Sequence, residues 1–182
     1  MIDIAKIYAY ANKAYNDANC TYGDGSYMIH INMVMQQFNR ISAVFKKPAD
    51  IDVTLGAVPC HDLIEDAKQT HNDICKVCGK DVADVTLAVT DVPAENRLLR
   101  HLLTMPKTVR DYRAIILKMC DMHANASFSK ANGSSMYRKY VREYQYRKPI
   151  FQMALEWYVD ELNLDVLQEF WNELDELHGK TK

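Results

Sequence analysis

The amino-acid sequence predicts an all-α fold, a single bundle of about eight to ten helices. Apolar residues recur with helical spacing along most of the chain, and no alternation of apolar and polar residues is long enough for a useful strand. The 182 residues suffice for one domain with a sizeable core, which we place at residues 1–182. With 48% hydrophobic and 25% charged residues, the composition is that of an ordered globular protein.

Apolar stripes with helical spacing define the first three helices. The first helix covers residues 4–18, and the second follows the turn-rich loop CTYGDGS and carries its stripe from residue 31 to residue 45. Pro48 ends the second helix and begins a third. We expect the third helix to run on into the segment VPCHDLIEDAKQTH, residues 58–71.

Capping and helix-breaking residues mark the helices in the middle of the chain. Thr70 and Asp73 resemble a capping pair, and Gly79 resembles a helix stop. The segment DVADVTLAV predicts a short helix, although its β-branched residues leave a strand open. After the break TDVPAEN, a helix begins at about residue 95 and is expected to stop at Pro106.

The last third of the chain is also helical. The segment VRDYRAIILKMCDMHANA predicts a helix, which the polar loop SFSKANGSS separates from the basic and aromatic segment MYRKYVREYQYRK. Pro149 suits the first position of a new helix, and two amphipathic helices then extend to about Gly179. We expect residues 149–179 to pack on the domain, although the last helix could instead form a homodimer contact.

Composition limits the classes of partner. A net charge of −2 gives no sign of wholesale binding to nucleic acid or to a membrane, and a small ligand is the better expectation. No apolar run approaches the roughly 20 residues that span a bilayer, and no signal peptide is recognisable, so we expect a cytoplasmic protein. The five cysteines then read as small core residues, with a redox role of Cys75 and Cys78 as the alternative.

The segment HDLIED places charged side chains among apolar neighbours. On a helix, His61 would point inward and Asp62 would lie beside it. Glu65 would lie one turn after His61, and Asp66 one turn after Asp62. Burying this much charge without compensation costs several kcal/mol per ion. A bound cation is the simplest compensation, and a histidine next to an aspartate suits Mn, Fe or Zn.

Other helices supply further metal-ligand candidates. His30 lies at the edge of the apolar stripe of the second helix, and Asp121 interrupts the apolar interior of AIILKMCDMHANA. An unpaired acid at that place would be costly. Together with His61 and Asp62, these residues would form a set of two nitrogens and two oxygens drawn from three helices. Asn125 faces the same way as Asp121, one turn further along the chain.

These motifs resemble a known family. The order H…HD…D is that of the HD-domain phosphohydrolases, and four segments resemble the hydrolase domains of the RelA/SpoT family, including its small stand-alone forms. The resemblance covers about residues 5–145. The segments are SYMIH, HDLIED, VADVTLAVTD and AIILKMCDMHAN.

The resemblance implies an α-helical domain that binds one Mn²⁺, with Fe²⁺ as the alternative. It implies removal of the 3′-pyrophosphate of (p)ppGpp, which gives GDP or GTP and pyrophosphate. Glu65 and Asp66 would orient and deprotonate the attacking water, and Asn125 would contact the nucleotide. The implied metal ligands are His30, His61, Asp62 and Asp121.

Basic and tyrosine side chains complete the expected substrate site. Lys118 and a basic group further from the motifs could offset the negative charge of the diphosphates. Tyr140 belongs to a region in which family members use tyrosine and basic side chains. The basic group consists of Arg97, Arg100, Arg138 and Lys139.

One loop departs from the family pattern, and this leaves the substrate open. Family members carry a basic pair about ten residues before the first ligand histidine, where this chain has Asn19 and Cys20. Tyr22 could stack on a base instead. The alternatives are another nucleotide, such as an adenine-containing signal or the 2′-phosphate of NADPH, and a non-catalytic nucleotide-binding module. The remaining histidines are expected to be mostly solvated; they are His71, His101, His123 and His178.

Overall fold

A computed structural model describes residues 2–179. This part of the chain forms ten α-helices and one hairpin of two very short antiparallel strands, so the all-α prediction is confirmed. None of its helices is long and apolar enough to cross a membrane. The elements are α1 (Ile4–Asp17), β1 (Thr21–Tyr22), β2 (Gly25–Ser26), α2 (Met28–Ile41), α3 (Pro48–Ala57), α4 (Leu63–Asp66), α5 (His71–Cys78), α6 (Lys80–Val89), α7 (Arg97–Thr108), α8 (Tyr112–Ala131), α9 (Met136–Leu155) and α10 (Leu167–Leu177).

Helix α8 is the centre of the bundle. It packs against α2, α3, α6, α9 and α10 and is buried on almost every side along residues 114–122. A helix that is apolar all round has to be buried in this way. Helix α10 closes the bundle by packing on α8, and it buries Phe170, Trp171 and Leu174. The charged side chains of Lys118 and Asp121, in the middle of α8, therefore lie inside the protein rather than on its surface.

The structure confirms two predictions of helix ends and decides one open alternative. Thr70 and Asp73 form a reciprocal capping box at the start of α5. Gly79 ends that helix with a φ of +93°, a conformation that favours glycine. The segment 81–89 lies in helix α6, so the alternative of a strand is wrong.

The predicted continuation of the third helix into HDLIED is wrong. Helix α3 ends at Ala57, and residues 58–60 form a single 3₁₀ turn around Pro59. Proline lacks the N–H that would continue the helical hydrogen bonds. Asp62 then stands at the N-cap of the short helix α4. The turn changes the chain direction just before the two motif residues, so that both His61 and Asp62 face the same interior point.

Two prolines lie inside helices, where the sequence predicted boundaries. Helix α7 runs through Pro106, and helix α9 runs through Pro149. A proline inside a helix costs about 3 kcal/mol relative to alanine. Packing on both sides outweighs this cost in α9, since Tyr144 is buried before the proline and Phe151 and Ala154 are buried after it. The packing of the core therefore outweighs the unfavourable helix propensity of proline.

Candidate metal centre and its cleft

Four side chains from three segments meet at one interior point. His30 comes from the first turn of α2, His61 and Asp62 come from the turn before α4, and Asp121 comes from the middle of α8. His61 Nε2 lies 3.1 Å from His30 Nε2 and 3.0 Å from Asp62 Oδ2. Asp121 Oδ1 lies 3.3 Å from His30 Nε2 and 3.8 Å from His61 Nε2. The structure thus brings together all four predicted metal ligands.

The donor atoms fit a single divalent ion. Ligands bonded to a metal at about 2.1 Å, at octahedral or tetrahedral angles, lie roughly 3.0–3.5 Å apart. The donors of His30, His61 and Asp62 all lie within 4.8 Å of one another, and Asp121 reaches both imidazoles. Two imidazoles with two carboxylates suit Mn, Fe or Zn rather than Ca or Mg.

The orientation of His61 supports a ligand role. Its Nδ1 lies 2.7 Å from the carbonyl oxygen of Val58 in the 3₁₀ turn. A carbonyl oxygen can only accept, so Nδ1 carries the proton and donates it. When the ring is neutral, Nε2 presents its lone pair to the cluster, the arrangement that backbone carbonyls impose on metal-binding histidines. His30 Nδ1 is buried and has no hydrogen-bond partner among residues 2–179.

The four groups also perturb one another strongly. Burial opposes the charged form of the Asp62 carboxyl, but without a metal ion the protonated imidazoles of His61 and His30 hold its pKa below the usual range. Burial likewise acts against ionised Asp121, and Lys118 and the imidazoles outweigh it and lower its pKa. Lys118 Nζ lies 3.1 Å from Asp121 Oδ2. Both carboxylates are therefore ionised acceptors for a cation.

Tyr27 joins a metal-ligand candidate to a second acid. Its hydroxyl lies 2.6 Å from Asp62 Oδ2 and 2.7 Å from Asp66 Oδ2. Its ring is buried and stacks on Tyr15 at a centroid distance of 4.4 Å. Burial, followed by the charge of Asp62, raises the pKa of Asp66. Tyr27 belongs to the segment SYMIH, which by itself assigned it no role, and the structure gives it contacts with both acids.

Glu65 stands at the edge of the cluster. Its side chain is open to the cleft, but enough protein packs around it that burial raises its pKa to about 7, against the opposing charge of Lys118. Glu65 Oε1 accepts a hydrogen bond of 2.5 Å from the backbone N–H of Asp91. A carboxylate with a pKa near neutrality can accept a proton efficiently at physiological pH.

Asn125 is bonded on both sides of its amide group. Its Nδ2 donates to Asp121 Oδ1 at 2.5 Å, and its Oδ1 accepts from the Tyr22 hydroxyl at 3.1 Å. The Tyr22 ring packs against His30 and Phe128, with centroid distances of 4.7 and 4.3 Å. Asn125 and Tyr22 therefore support the metal-ligand candidates, and the sequence had suggested for Tyr22 only a contact with a base.

The cluster lies in a cleft with a volume of about 290 Å³. Six carboxylates and four cationic side chains line it, so one divalent cation would bring its formal charge to zero. Five of the six buried side-chain polar atoms that lack a partner within residues 2–179 belong to lining residues. Native interiors leave few such atoms, which indicates a polar ligand. The lining residues are Tyr22, Tyr27, His30, Asp62, Glu65, Asp66, Asp91, Arg97, Arg100, Lys118, Asp121, Met122, Asn125, Tyr140, Glu143, Tyr144, Arg147 and His178.

The expected substrate residues divide into two groups. Lys118, Arg97, Arg100 and Tyr140 line the cleft, whereas Arg138 is exposed and lines a different depression between the ends of α8 and α9. The structure therefore does not bring Arg138 to the metal centre. Sequence reasoning missed the lining residues Asp91, Glu143, Tyr144, Arg147 and His178.

The expectation that the remaining histidines are mostly solvated is wrong. His101 and His178 are buried, with 1% and 3% of their surface exposed, and His71 and His123 are half-buried. His178 stacks on Tyr144 at a centroid distance of 4.1 Å. The spacing of Arg97 and His101, and of Glu143 and Arg147, four residues apart on their helices, was a signal for a charged network.

The loop that departs from the family pattern has a structural role here. Asn19 follows α1 with a φ of +56°, in the left-handed region that asparagine tolerates better than most residues. Cys20 Sγ donates to the carbonyl oxygen of Asp66 at 3.2 Å. Asn19 therefore turns the chain at the end of α1, and Cys20 fastens the loop to the acidic turn.

Comparison with solved structures identifies the fold. No protein-family model matches the chain, and no curated protein matches it significantly. Solved structures do match, among them that of a metazoan ortholog of SpoT that hydrolyses ppGpp and plays a role in starvation responses. The match has a TM-score of 0.67, covers 97% of each chain and shows 18% sequence identity. The chain therefore has the all-α fold of an HD-domain hydrolase, as its motifs predicted.

Proposed function

We propose that the protein is a metal-dependent phosphohydrolase that removes the 3′-pyrophosphate of (p)ppGpp and releases GDP or GTP and pyrophosphate. The observation that carries the proposal is the position of Glu65, a carboxylate with a pKa of about 7, beside four clustered metal-ligand candidates in a cleft with basic walls. The fold shared with a ppGpp-hydrolysing protein supports the same reaction.

Mn²⁺ is the proposed ion, with Fe²⁺ as the alternative. A divalent ion held by His30, His61, Asp62 and Asp121 would act as a Lewis acid on a phosphoryl oxygen and lower the pKa of a water molecule. Two imidazoles and two carboxylates suit both Mn²⁺ and Fe²⁺, so the same four residues would serve as ligands for either ion.

The protein side chains supply the proton transfer and the charge balance. Glu65 takes a proton from water while the water oxygen bonds to phosphorus and the bond from phosphorus to the 3′ oxygen breaks. The leaving 3′ oxygen then takes up the proton. Asp66, held through Tyr27, orients the water, and Lys118 offsets the negative charge on the phosphoryl oxygens.

A second depression next to the cleft has room for the nucleoside. Its volume is about 460 Å³, and it shares Tyr22, Asn125 and Tyr140 with the cleft. Asp24 and Phe128 also line it, so it offers aromatic rings together with a carboxylate acceptor. Because Asn19 and Cys20 replace the basic pair of the family, another phosphorylated nucleotide, adenine-containing or NADPH, is the second candidate substrate.

The test is product formation from ppGpp with and without Mn²⁺, followed by anion-exchange separation. We expect GDP and pyrophosphate only in the presence of the metal, and none with an Asp62→Asn variant. If ppGpp is stable, a panel including adenine nucleotides and NADPH decides between the two substrates. Binding without turnover across this panel, in protein verified to contain metal, would contradict the proposal and favour a nucleotide-binding module.

A further inference from the structure

The cleft contains two arginines with unsatisfied, buried donors. The Nε atoms of Arg100 and Arg147 are buried and have no hydrogen-bond partner among residues 2–179. Both side chains line the cleft, and Arg147 exposes only 6% of its surface. A buried guanidinium with an unused donor is costly unless a ligand satisfies it. Neither the motifs nor the metal centre accounts for Arg147.

Arg147 is held in place by a chain of buried groups. Its Nη2 lies 2.6 Å from His101 Nδ1, closer than its distance of 3.3 Å from Nε2 of the same ring. A guanidinium can only donate, so Nδ1 is the acceptor and the proton of His101 lies on Nε2, which points to Glu143 Oε1 at 3.1 Å. Arg97 Nε lies 2.5 Å from the same oxygen. One edge of Arg147 is therefore fixed by protein, and its Nε is left for a ligand.

Glu143 is the anionic anchor of this chain. Burial would raise its pKa, but hydrogen bonds from His101 and Arg97 lower it to about 2, so it is ionised at neutral pH. Its second oxygen lies 3.7 Å from Arg147 Nη2. One carboxylate thus faces two arginines, and the group retains positive charge for an incoming anion.

Lys118 connects this group to the metal centre. It lies 3.1 Å from Asp121 Oδ2, and among the charges that act on the Lys118 amine are those of Glu65, Asp91 and Arg147. Arg100 borders the same region, with its Nη1 4.0 Å from Asp91 Oδ2. Basic groups therefore extend from the metal-ligand candidates into the cleft. A single phosphoryl group at the metal centre would not contact all of them, whereas two linked phosphoryl groups would.

We propose that Arg147 and Arg100 bind the terminal phosphoryl group of a diphosphate whose inner phosphoryl group lies at the metal centre. Arginine suits this task because its planar fork matches phosphate oxygens in pairs. The enzyme then discriminates a nucleotide 3′-diphosphate from the corresponding 3′-monophosphate. His101 and Glu143 are positioning residues for Arg147. This inference rests on the proposed function and adds to it the selection of a diphosphate, rather than a monophosphate, as the group that is transferred to water.

The test measures binding rather than turnover alone. In a Glu65→Gln background loaded with Mn²⁺, calorimetry compares ppGpp with the nucleotide that carries a 3′-monophosphate and the same 5′-diphosphate. We expect Arg147→Gln to weaken ppGpp binding about tenfold or more, as for a lost hydrogen bond to a charged group, with little effect on the monophosphate. Arg142→Gln, an exposed charge change on the same helix, is the matched control and should keep both affinities.

Arg100→Gln keeps the test decisive if the Arg147 variant does not fold. Arg100 is only half-buried, so its replacement is tolerated more easily. The Arg100→Gln variant should also lose the preference for the diphosphate over the monophosphate. Equal affinity of the unsubstituted background for the two nucleotides, or parallel losses for both in the arginine variants, would overturn the inference. Selective binding of the diphosphate in this background, together with no hydrolysis of ppGpp by the protein that retains Glu65, would contradict the proposed function alone.

Discussion

Tyr27 and Asp66 are joined by a hydrogen bond of 2.7 Å, and the same hydroxyl lies 2.6 Å from Asp62. A phenol has one proton to donate, so it is shared between two carboxylates. One of these belongs to the metal-ligand set and the other to the water-orienting pair. Tyr27 therefore fixes the distance between the metal centre and the acid that would hold the water.

We expect Tyr27→Phe to fold and to bind metal but to turn over more slowly. Removing the hydroxyl leaves two acids facing each other without a shared proton, and Asp66 loses its orientation. A hydrogen bond to a charged group contributes about 1.5–3 kcal/mol, which corresponds to roughly a tenfold to hundredfold loss in kcat. Steady-state kinetics with ppGpp in saturating Mn²⁺ measures this loss.

Tyr15→Phe is the matched control for this prediction. Tyr15 stacks on Tyr27, but its hydroxyl donates to the backbone oxygen of Pro59 at 3.2 Å rather than to a carboxylate. Its removal should lower the free energy of unfolding by about 1 kcal/mol and leave kcat nearly unchanged. Equal losses of kcat in the two variants would show that packing, not the shared proton, explains the effect.

Metal binding should depend on the clustered carboxylates and not on cleft charge in general. Asp62→Asn and Asp121→Asn each remove an anionic ligand and leave cleft volume unchanged, so we expect both to abolish the thermal stabilisation by Mn²⁺. Asp91→Asn removes one charge from the same cleft, but Asp91 is not one of the clustered donors. It should retain the stabilisation. Loss of Mn²⁺ binding in all three variants would mean that summed charge alone attracts the ion.

Much of the fold was predictable because local signals and tertiary packing agree. The capping box at Thr70 and the stop at Gly79 depend only on nearby residues, and both are present. The prolines at 106 and 149 failed as boundary markers because their penalty is local, whereas the buried residues on either side belong to the whole core. The sequence did not predict the turn at Pro59. Apolar residues keep their helical spacing across this position, and that pattern concealed the local effect of the proline.

The site was predictable where residues follow one another in a motif. His61, Asp62 and Glu65 lie within five residues, and buried charge on an apolar segment indicated a cation. The spacing of Glu143 and Arg147 indicates a pair on one helix, but their contacts with His101 run between α9 and α7, which no short pattern encodes. Arg138, close to them in sequence, faces solvent instead.

Glu65 should set the lower limb of the pH profile. Its pKa of about 7 is that of the protein without a metal, and the positive charge of a bound ion can only lower it. Because the ionised form accepts the proton, kcat/KM should rise with pH through a limb centred at pH 7 or below. We expect Glu65→Gln to bind Mn²⁺ normally and lose most turnover, without that limb. Full activity in this variant would exclude Glu65 as the proton acceptor.

His178 should make the protein less stable in mild acid. Burial, opposed by the hydrogen bond from Nδ1 to the carbonyl oxygen of Leu174, lowers its pKa to about 4 from the ordinary 6.5. The unfolded chain takes up this proton below pH 6.5, whereas the folded protein takes it up only near pH 4. The stability that neutral His178 allows is therefore present above pH 6.5 and is lost as the pH falls towards 4.

A His178→Phe variant isolates this contribution, because it keeps an aromatic ring to stack on Tyr144 and removes the titration. Between pH 7 and pH 5 the native protein should lose up to about 2 kcal/mol more than the variant, or several degrees in Tm. Denaturant unfolding at the two pH values measures the difference directly. The variant loses the hydrogen bond to Leu174 at both pH values, so this loss cancels in the comparison. Parallel losses in the two proteins would mean that the acid sensitivity lies elsewhere, in the buried carboxylates of the cleft.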